Sequence, residues 1–339
     1  MTTADVNRVA RKYLINDSAL VALLTPRAPG KPVSSKGFGG GESFAPKETK
    51  QGALPEWAEK VLATPAVPPS TTNPTVTTLP NGLRLRVQPE TISATVSISG
   101  QVKNNPDLEA PAKQERVSLV LGDLFSYGTT SLDRLAFQKA LDDIGANETA
   151  GASFSLEVLS DQFERGVELL SSNLLQPALP EQAFKVVQQE AAESVAGELK
   201  SPGYLSGRAL RQALYPKGDP TPRQVTPSSI SSLKLEDVNQ YYRKVFRPDL
   251  TTIVVIGQIT PERARAVIEK HFGAWKAGGP KPNTLLPPVP PNKPSAAAVP
   301  DASRVQVEVT LAETLGLTRS DPDYYASYTV FARFSRRSA

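Results

Sequence analysis

The sequence predicts an α+β fold, with helices packed on a mixed, mostly antiparallel sheet, and three features carry that prediction. Apolar residues recur in some stretches with a period of two and in others with a period near 3.6. These stretches follow one another without the regular strand–helix–strand alternation of a doubly wound sheet. The third feature is a long repeat. Residues 5–17, Asp-Val-Asn-Arg-Val-Ala-Arg-Lys-Tyr-Leu-Ile-Asn-Asp, return 232 positions later at 237–249 as Asp-Val-Asn-Gln-Tyr-Tyr-Arg-Lys-Val-Phe-Arg-Pro-Asp. Each copy runs into an apolar strand-like stretch, 19–24 and 251–256. Solenoid repeats have a period of ~20–50 residues, so this one marks a duplicated lobe.

The lobe is expected at 75–277, and its elements follow in order. Strand-like stretches 76–79 and 83–87 flank Pro80-Asn81-Gly82, and Asn-Gly in that setting predicts a hairpin. In 94–100, Val96 and Ile98 alternate with Thr95, Ser97 and Ser99, as in a half-buried strand. Helix 115–127 gathers Val117, Val120, Leu121 and Leu124 on one face and ends at Gly128-Thr-Thr. A second amphipathic helix, 132–144, is closed by Gly145. Stretch 153–159 alternates as a strand, and 161–175 places Phe163, Val167, Leu170 and Leu174 at helical spacing. Pro180 suits the first turn of a long helix reaching about Leu199, with Pro202 just past its end. Helix 234–246, strand 251–257 and helix 261–275 complete the lobe.

Composition bounds the rest. A length of 339 residues fits about two domains, and a 39% apolar fraction supplies a core. The 31 prolines exceed the usual share of ~5%. Nine lie between Pro26 and Pro74, with the Gly37–Gly41 cluster, and eight between Pro280 and Pro300. Both stretches read as extended connectors, 26–74 and 278–302. Net charge is only +4 and no basic stripe is interleaved with aromatics, which argues against nucleic acid; Arg333, Arg336 and Arg337 read as a solvated end. The lack of cysteine excludes disulfides and thiolate zinc sites. No apolar run approaches the ~20 residues of a membrane span. The chain opens directly on a helix with Thr2-x-x-Asp5 as a capping box, so no signal peptide is expected in it.

Several motifs share an order and spacing. They are Leu79-Pro-Asn-Gly-Leu83, Asp123-Leu-Phe-Ser-Tyr-Gly-Thr129, and Tyr242 with Phe246-Arg-Pro-Asp-Leu-Thr-Thr-Ile-Val-Val-Ile-Gly257 ahead of Phe272-Gly-Ala-Trp275. Ser303-Arg-Val-Gln306 and Asp321-Pro-Asp-Tyr-Tyr325 follow. Together they resemble the insulinase/pitrilysin family of zinc peptidases over roughly 75–326, with the stub 1–24. The resemblance implies four related lobes paired into two halves around a chamber. One half holds zinc through His-x-x-Glu-His, with two histidine ligands and a glutamate base. The other has the same fold without ligands and supplies chamber wall and substrate contacts. In this chain the three places hold Leu119, Gly122 and Asp123. The family's third ligand, a glutamate on a later helix, falls near Glu193, or Glu190 one turn earlier.

The chain thus resembles the ligand-free half: 1–25 the end of a preceding lobe, 26–74 the linker between halves, 75–277 a complete lobe, 278–302 a second linker and 303–339 a truncated next lobe. No catalytic, cofactor or metal residue is implied within it. Zinc is expected in a partner half, and peptide reaches this chain only through that complex. The compartment is left open, and export of a longer parent to the bacterial periplasm is compatible with the family. The family's ligand-free half adds an Arg/Tyr pair from its second lobe, but this sequence departs from the pattern at about Ser327, and a frameshifted or truncated reading frame would account for both ends.

Two alternatives stay open. One is a diverged metallohydrolase using Asp123 with Glu190 or Glu193, against which both glutamates read first as solvated helix carboxylates. The other is a gene fragment, with Val6, Val9 and Leu14 and then Val305, Val307 and Val309 exposed. Weaker signals carry less. His271, the sole histidine, lies near a helix end, where the dipole favours a partly cationic ring. Gly37–Gly41 follows a linker and lacks phosphate-loop spacing. Tyr241-Tyr242 reads as core or as a contact between lobes.

Overall fold

The computed structural model describes residues 2–13, 55, 57–58, 72–300 and 309–327. The chain forms two compact units, 1–66 with 329–339, and 67–328. In the first, helix α1 (Thr3–Tyr13) starts as the sequence predicts. The Asp5 carboxylate accepts from the Thr2 backbone N–H at 2.9 Å and the Thr2 hydroxyl at 2.8 Å, and the Asp5 N–H donates to Thr2 Oγ1 at 3.3 Å. Val6 and Val9 are exposed. The strand expected at 19–24, the Gly37–Gly41 cluster, Leu14, Val305, Val307 and the tail from 328 lie outside the described residues.

The second unit is built on six strands: β1 (Thr75–Thr78), β2 (Arg84–Pro89), β3 (Thr95–Val102), β4 (Asn147–Thr149), β5 (Ser153–Leu159) and β6 (Thr251–Gly257). Their order is β1-β2-β6-β3-β5-β4. Only β2–β6 is parallel, so the sheet is mixed and mostly antiparallel. Alternation sorts its faces. Leu85, Val87, Val96, Ile98, Phe154, Leu156, Val158, Ile253 and Val255 are buried together, while Ser97, Ser99, Ser155 and Glu157 point the other way into solvent.

The helices are α2 (Pro106–Glu109), α3 (Val117–Leu124), α4 (Arg134–Asp142), α5 (Phe163–Leu175), α6 (Glu181–Glu198), α7 (Pro202–Leu214), α8 (Pro227–Ser231), α9 (Leu235–Val245) and α10 (Pro261–Phe272). Pro202 lies just past the end of α6, as the sequence predicts, and also opens α7. Three sequence expectations need correction. Pro180 is the N-cap of α6 rather than a residue of its first turn, with an extended ψ of 140°. Helix α3 ends at Leu124 and tightens into a 3-10 turn, Phe125–Tyr127. Helix α10 stops at Phe272, short of Trp275, for a long-range reason. Asn81 Nδ2 donates to the carbonyls of Phe272 at 2.8 Å, Gly273 at 3.4 Å and Trp275 at 3.2 Å, occupying groups that another helical turn would need.

The same residue sits in the hairpin turn. Leu79 N–H donates to the Leu83 carbonyl at 2.8 Å, so Pro80-Asn81-Gly82 separates the closing pair, as the flanking stretches 76–79 and 83–87 predict. Gly82 supplies the positive φ of +90°, and a Cβ there would meet Asp249 at 3.0 Å.

Asp249 belongs to the buried joint that fixes how β6 enters the sheet. Arg247, 3% exposed, donates through Nε and Nη2 to the two Asp249 oxygens at 2.9 and 3.1 Å. Its Nη1 donates to the carbonyls of Gly278, Gly279 and Pro280 at 2.9, 3.0 and 2.9 Å, tying down the start of the proline-rich stretch. The Thr251 hydroxyl donates back to the Arg247 carbonyl at 2.6 Å. Farther along, Thr314 and Asn292 bond reciprocally, N–H to side-chain oxygen, at 2.8 and 2.9 Å.

At the opposite edge of the sheet, β4 lays Glu148 against α5. Asn173, 2% exposed, donates through Nδ2 to the two carboxylate oxygens at 3.2 and 3.4 Å. Burial pushes the Glu148 carboxyl up to about 7, and the Asn173 bond holds it below where burial alone would take it.

Two outcomes are expected. Arg247→Ala leaves Asp249 and three carbonyls without their donor and should cost roughly 3–5 kcal/mol in urea unfolding. Arg247→Lys should recover only part of this, because an ammonium cannot make the two-pronged fork. A loss for Arg247→Ala below about 1 kcal/mol, the range of an exposed pair, would refute the joint. For Glu148, the folded carboxyl binds its proton more tightly than the unfolded chain, whose ordinary value is 4.5. Folded chains then hold more protons, and stability falls, as pH rises from 4.5 to about 7. Glu148→Gln should remove that slope, matching the parent in acid and exceeding it above neutrality. A variant less stable than the parent above neutrality would contradict the assignment.

Candidate functional site

Helix α3 carries the three positions that the family resemblance sets against His-x-x-Glu-His. Its inward residues Val117, Val120, Leu121 and Leu124 are buried, and the helix packs against both α6 and α9. The remaining face carries the three positions of interest. Leu119 is 41% exposed, Asp123 is exposed, and a Cβ added at Gly122 would touch nothing within 4 Å. The helix is therefore intact, and its outer face offers a hydrocarbon, a bare backbone and one carboxylate.

The candidate glutamates lie on α6. Glu190 is close enough that its charge, after partial burial, raises the Asp123 carboxyl above its ordinary range. Glu193 instead accepts from Gln189 Nε2 at 2.9 Å. A catalytic zinc requires three protein donors. Among the described residues no three His, Cys, Asp or Glu side chains converge in a way that could hold a metal. The residues present do not fit a zinc ion, and no hydrolytic step is derived through one.

His271, on the last turn of α10, departs from expectation. The sequence favours a partly cationic ring there, but burial lowers its pKa, and Lys270 adds to the shift against the opposing Glu168 and Glu164. Its Nε2 is buried without a partner among the described residues. Desolvation of the ring is the largest cause of the shift.

Tyr241 is core, and Tyr242 is half-buried against it. Tyr241, 4% exposed, donates to Glu109 Oε2 at 3.1 Å, and that buried carboxylate also accepts from the Asn105 N–H at 2.8 Å. Tyr242 stacks with Phe125 and Phe246, ring centroids 6.3 and 5.0 Å away, and donates to the Leu174 carbonyl at 2.8 Å.

The other motif residues close turns. Gly128 has φ +89°, and a Cβ there would lie 2.5 Å from the Leu132 carbonyl oxygen. Thr129, 4% exposed, accepts at Oγ1 from the Leu132 N–H at 3.0 Å and donates its own N–H to the Leu132 carbonyl at 2.8 Å. The Gly-Thr that helps identify the motif thus turns the chain from α3 toward α4. Sequence reasoning passed over Glu148. The available signal was Asn173, an amide between Leu170 and Leu174 on an otherwise apolar helix face.

Residues 232–336 match the family model described as the Peptidase M16 inactive domain. No curated protein matches the chain by sequence. Among solved structures, the peptidase M16 inactive domain from Pseudomonas fluorescens is similar at 18% identity and a TM-score of 0.58, over 65% of this chain and 55% of that one. A protease from Helicobacter pylori is similar at 19% identity and a TM-score of 0.55, over 64% and 55%. The periplasmic protease PqqL from Escherichia coli is similar at 15% identity and a TM-score of 0.51, over 66% and 26%. The chain spans about half the length of the first two and about a quarter of the third. Residues 232–336 thus resemble the Peptidase M16 inactive domain, and the lobe shares the fold of these solved structures.

Proposed function

We propose that this chain is the non-catalytic half of an M16-type zinc peptidase, which lines a proteolytic chamber and contacts a zinc-bearing half and its peptide substrate. One observation carries the proposal. Helix α3 keeps its packing and its turn at Gly128, yet presents Leu119, Gly122 and Asp123 where the family's catalytic lobe carries its ligands and base. The open polar face of the sheet, with Ser97 opposite Glu157 and Ser99 opposite Ser155, suits a wetted wall. On this reading the chain alone hydrolyses nothing, and zinc belongs to the partner.

Asp123 beside Glu190 favours a second reading, a diverged metallohydrolase in which Asp123→Ala abolishes a metal-dependent activity. The two are separable. Metal analysis of the purified chain should find zinc far below one per chain and no peptide hydrolysis. A partner bearing His-x-x-Glu-His should be recovered with it, and the joined complex should lose its activity to a chelator. Stoichiometric zinc with peptidase activity in the chain alone would overturn the proposal.

A further inference from the structure

A cavity of about 500 Å³ opens between α7, the stretch 219–225 and the ligand-free helix α3. Its lining joins apolar surface from Leu119, Tyr204 and Val225 to four arginines, Arg116, Arg208, Arg211 and Arg223. Arg116 alone is paired directly, with Glu198 at 2.7 Å. Arg208 donates to the neutral Gln224 Oε1 at 2.9 Å. Arg223 donates to the carbonyls of Pro220 at 3.1 Å and Ala110 at 3.0 Å. Among the described residues, Arg211 has no side-chain hydrogen bond or ion pair. These bonds aim two guanidiniums without neutralising them.

Two carboxylates line the cavity, and a third, Asp219, lies near Asp107. Asp107 lies in the field of Arg223 and Arg211 without touching either, and Glu115 accepts at Oε1 from the Lys113 N–H at 2.9 Å while its Oε2 is buried without a partner among the described residues. Asp219 accepts from the Thr221 N–H at 2.8 Å, which leaves Arg208, Arg211 and Arg223 without a directly bonded carboxylate among the described residues. The Thr221 hydroxyl is buried without a partner among the described residues. Helix α7 itself buries no residue, so Arg208 and Arg211 are not structural parts of a core.

We infer that this cavity docks acidic polypeptide, holding an Asp or Glu side-chain carboxylate between Arg208, Arg211 and Arg223 with its methylenes against Leu119 and Val225. A planar guanidinium matches a carboxylate with two parallel donors, and three such groups around an apolar floor select an anion carried on a hydrocarbon stem. A cation is repelled. Nucleic acid would call for a basic stripe along the surface, whereas these arginines converge. The site suits a chamber wall but does not rest on a partner half, because every group belongs to this chain.

The full chain is titrated into a fluorescein-labelled peptide of alternating Glu and Gly, with the Gln/Gly peptide as control, and anisotropy is read. The Glu peptide should bind, more weakly as salt rises, and the Gln peptide should not. The double variant Arg208→Gln/Arg211→Gln should weaken binding roughly tenfold or more, the scale of hydrogen bonds to charged groups. Arg165→Gln, on α5, should leave it unchanged. Should the double variant misfold, Arg211→Gln breaks no bond among the described residues and must still weaken binding. Equal binding of the Gln peptide, or undiminished binding by the arginine variants, overturns the inference. So does displacement of the peptide by a single-stranded oligonucleotide or by inorganic phosphate at lower concentration than unlabelled peptide. Failure to recruit a zinc-bearing half bears on the chamber reading alone.

Discussion

The sheet holds together through one strand that arrives late, and Arg247 fixes its arrival. Without β6 the strands form two separate pieces, the β1–β2 ribbon and the β3–β5–β4 ribbon. Residues 251–257 must return from far along the chain and lie between β2 and β3, pairing in parallel with one and antiparallel with the other. Such non-local pairing delivers its energy only after a large loop has closed. The fork from Arg247 to Asp249 shapes the turn into that strand, the Asp249 main chain and Cβ pack on Gly82 of the hairpin, and the remaining guanidinium nitrogen holds the exit at Gly278 to Pro280. One side chain thereby sets the entry of β6, the placement of the hairpin and the direction in which the chain leaves the lobe. A buried charge survives here because nearly every donor finds an acceptor.

Legibility followed the physics of each element. Strand β6 was readable as a short apolar run, whereas β3 and β5 were readable because one face is buried and the other is not, and alternation records that directly. The cores of α3, α5, α6 and α9 were readable for the same reason. Helix α7 was missed because it buries no residue, so its apolar positions are not gathered into a face by a core. The three residues of β4 are too few to show a period, and they are a strand because β5 offers them an edge. The end of α10 depends on Asn81 reaching across the lobe, which no local window contains. His271 failed differently. The sequence showed its helix end, but not the packing that removes its water.

The site was legible by subtraction. Leu119, Gly122 and Asp123 were singled out by the family resemblance, and the structure puts them on the outer face of α3, with Asp123 near Glu190. What spacing could not show is that this same outer face opens onto a pocket lined by arginines from elements well downstream. Arg208 and Arg211 are three apart on one helix, an ordinary surface arrangement. They become a site only when the stretch carrying Arg223 is folded against them and when their partners prove to be amide and carbonyl oxygens.

The division of α3 into two faces means that its outer positions can vary while the helix stays folded. Substitutions on a solvent-facing strip are commonly worth within about 0.5 kcal/mol, whereas removing a buried leucine costs several times that. Val120, Leu121 and Leu124 are held by packing, and Gly128 by a turn that leaves no room for a Cβ. Nothing in the fold holds positions 119, 122 or 123 to metal-binding side chains. A matching backbone therefore carries information about packing and turns and none about zinc, which is why function has to be argued from the groups a lobe presents. Here those groups are three guanidiniums bonded to no carboxylate directly, a fourth paired with Glu198, and a polar sheet face open to water.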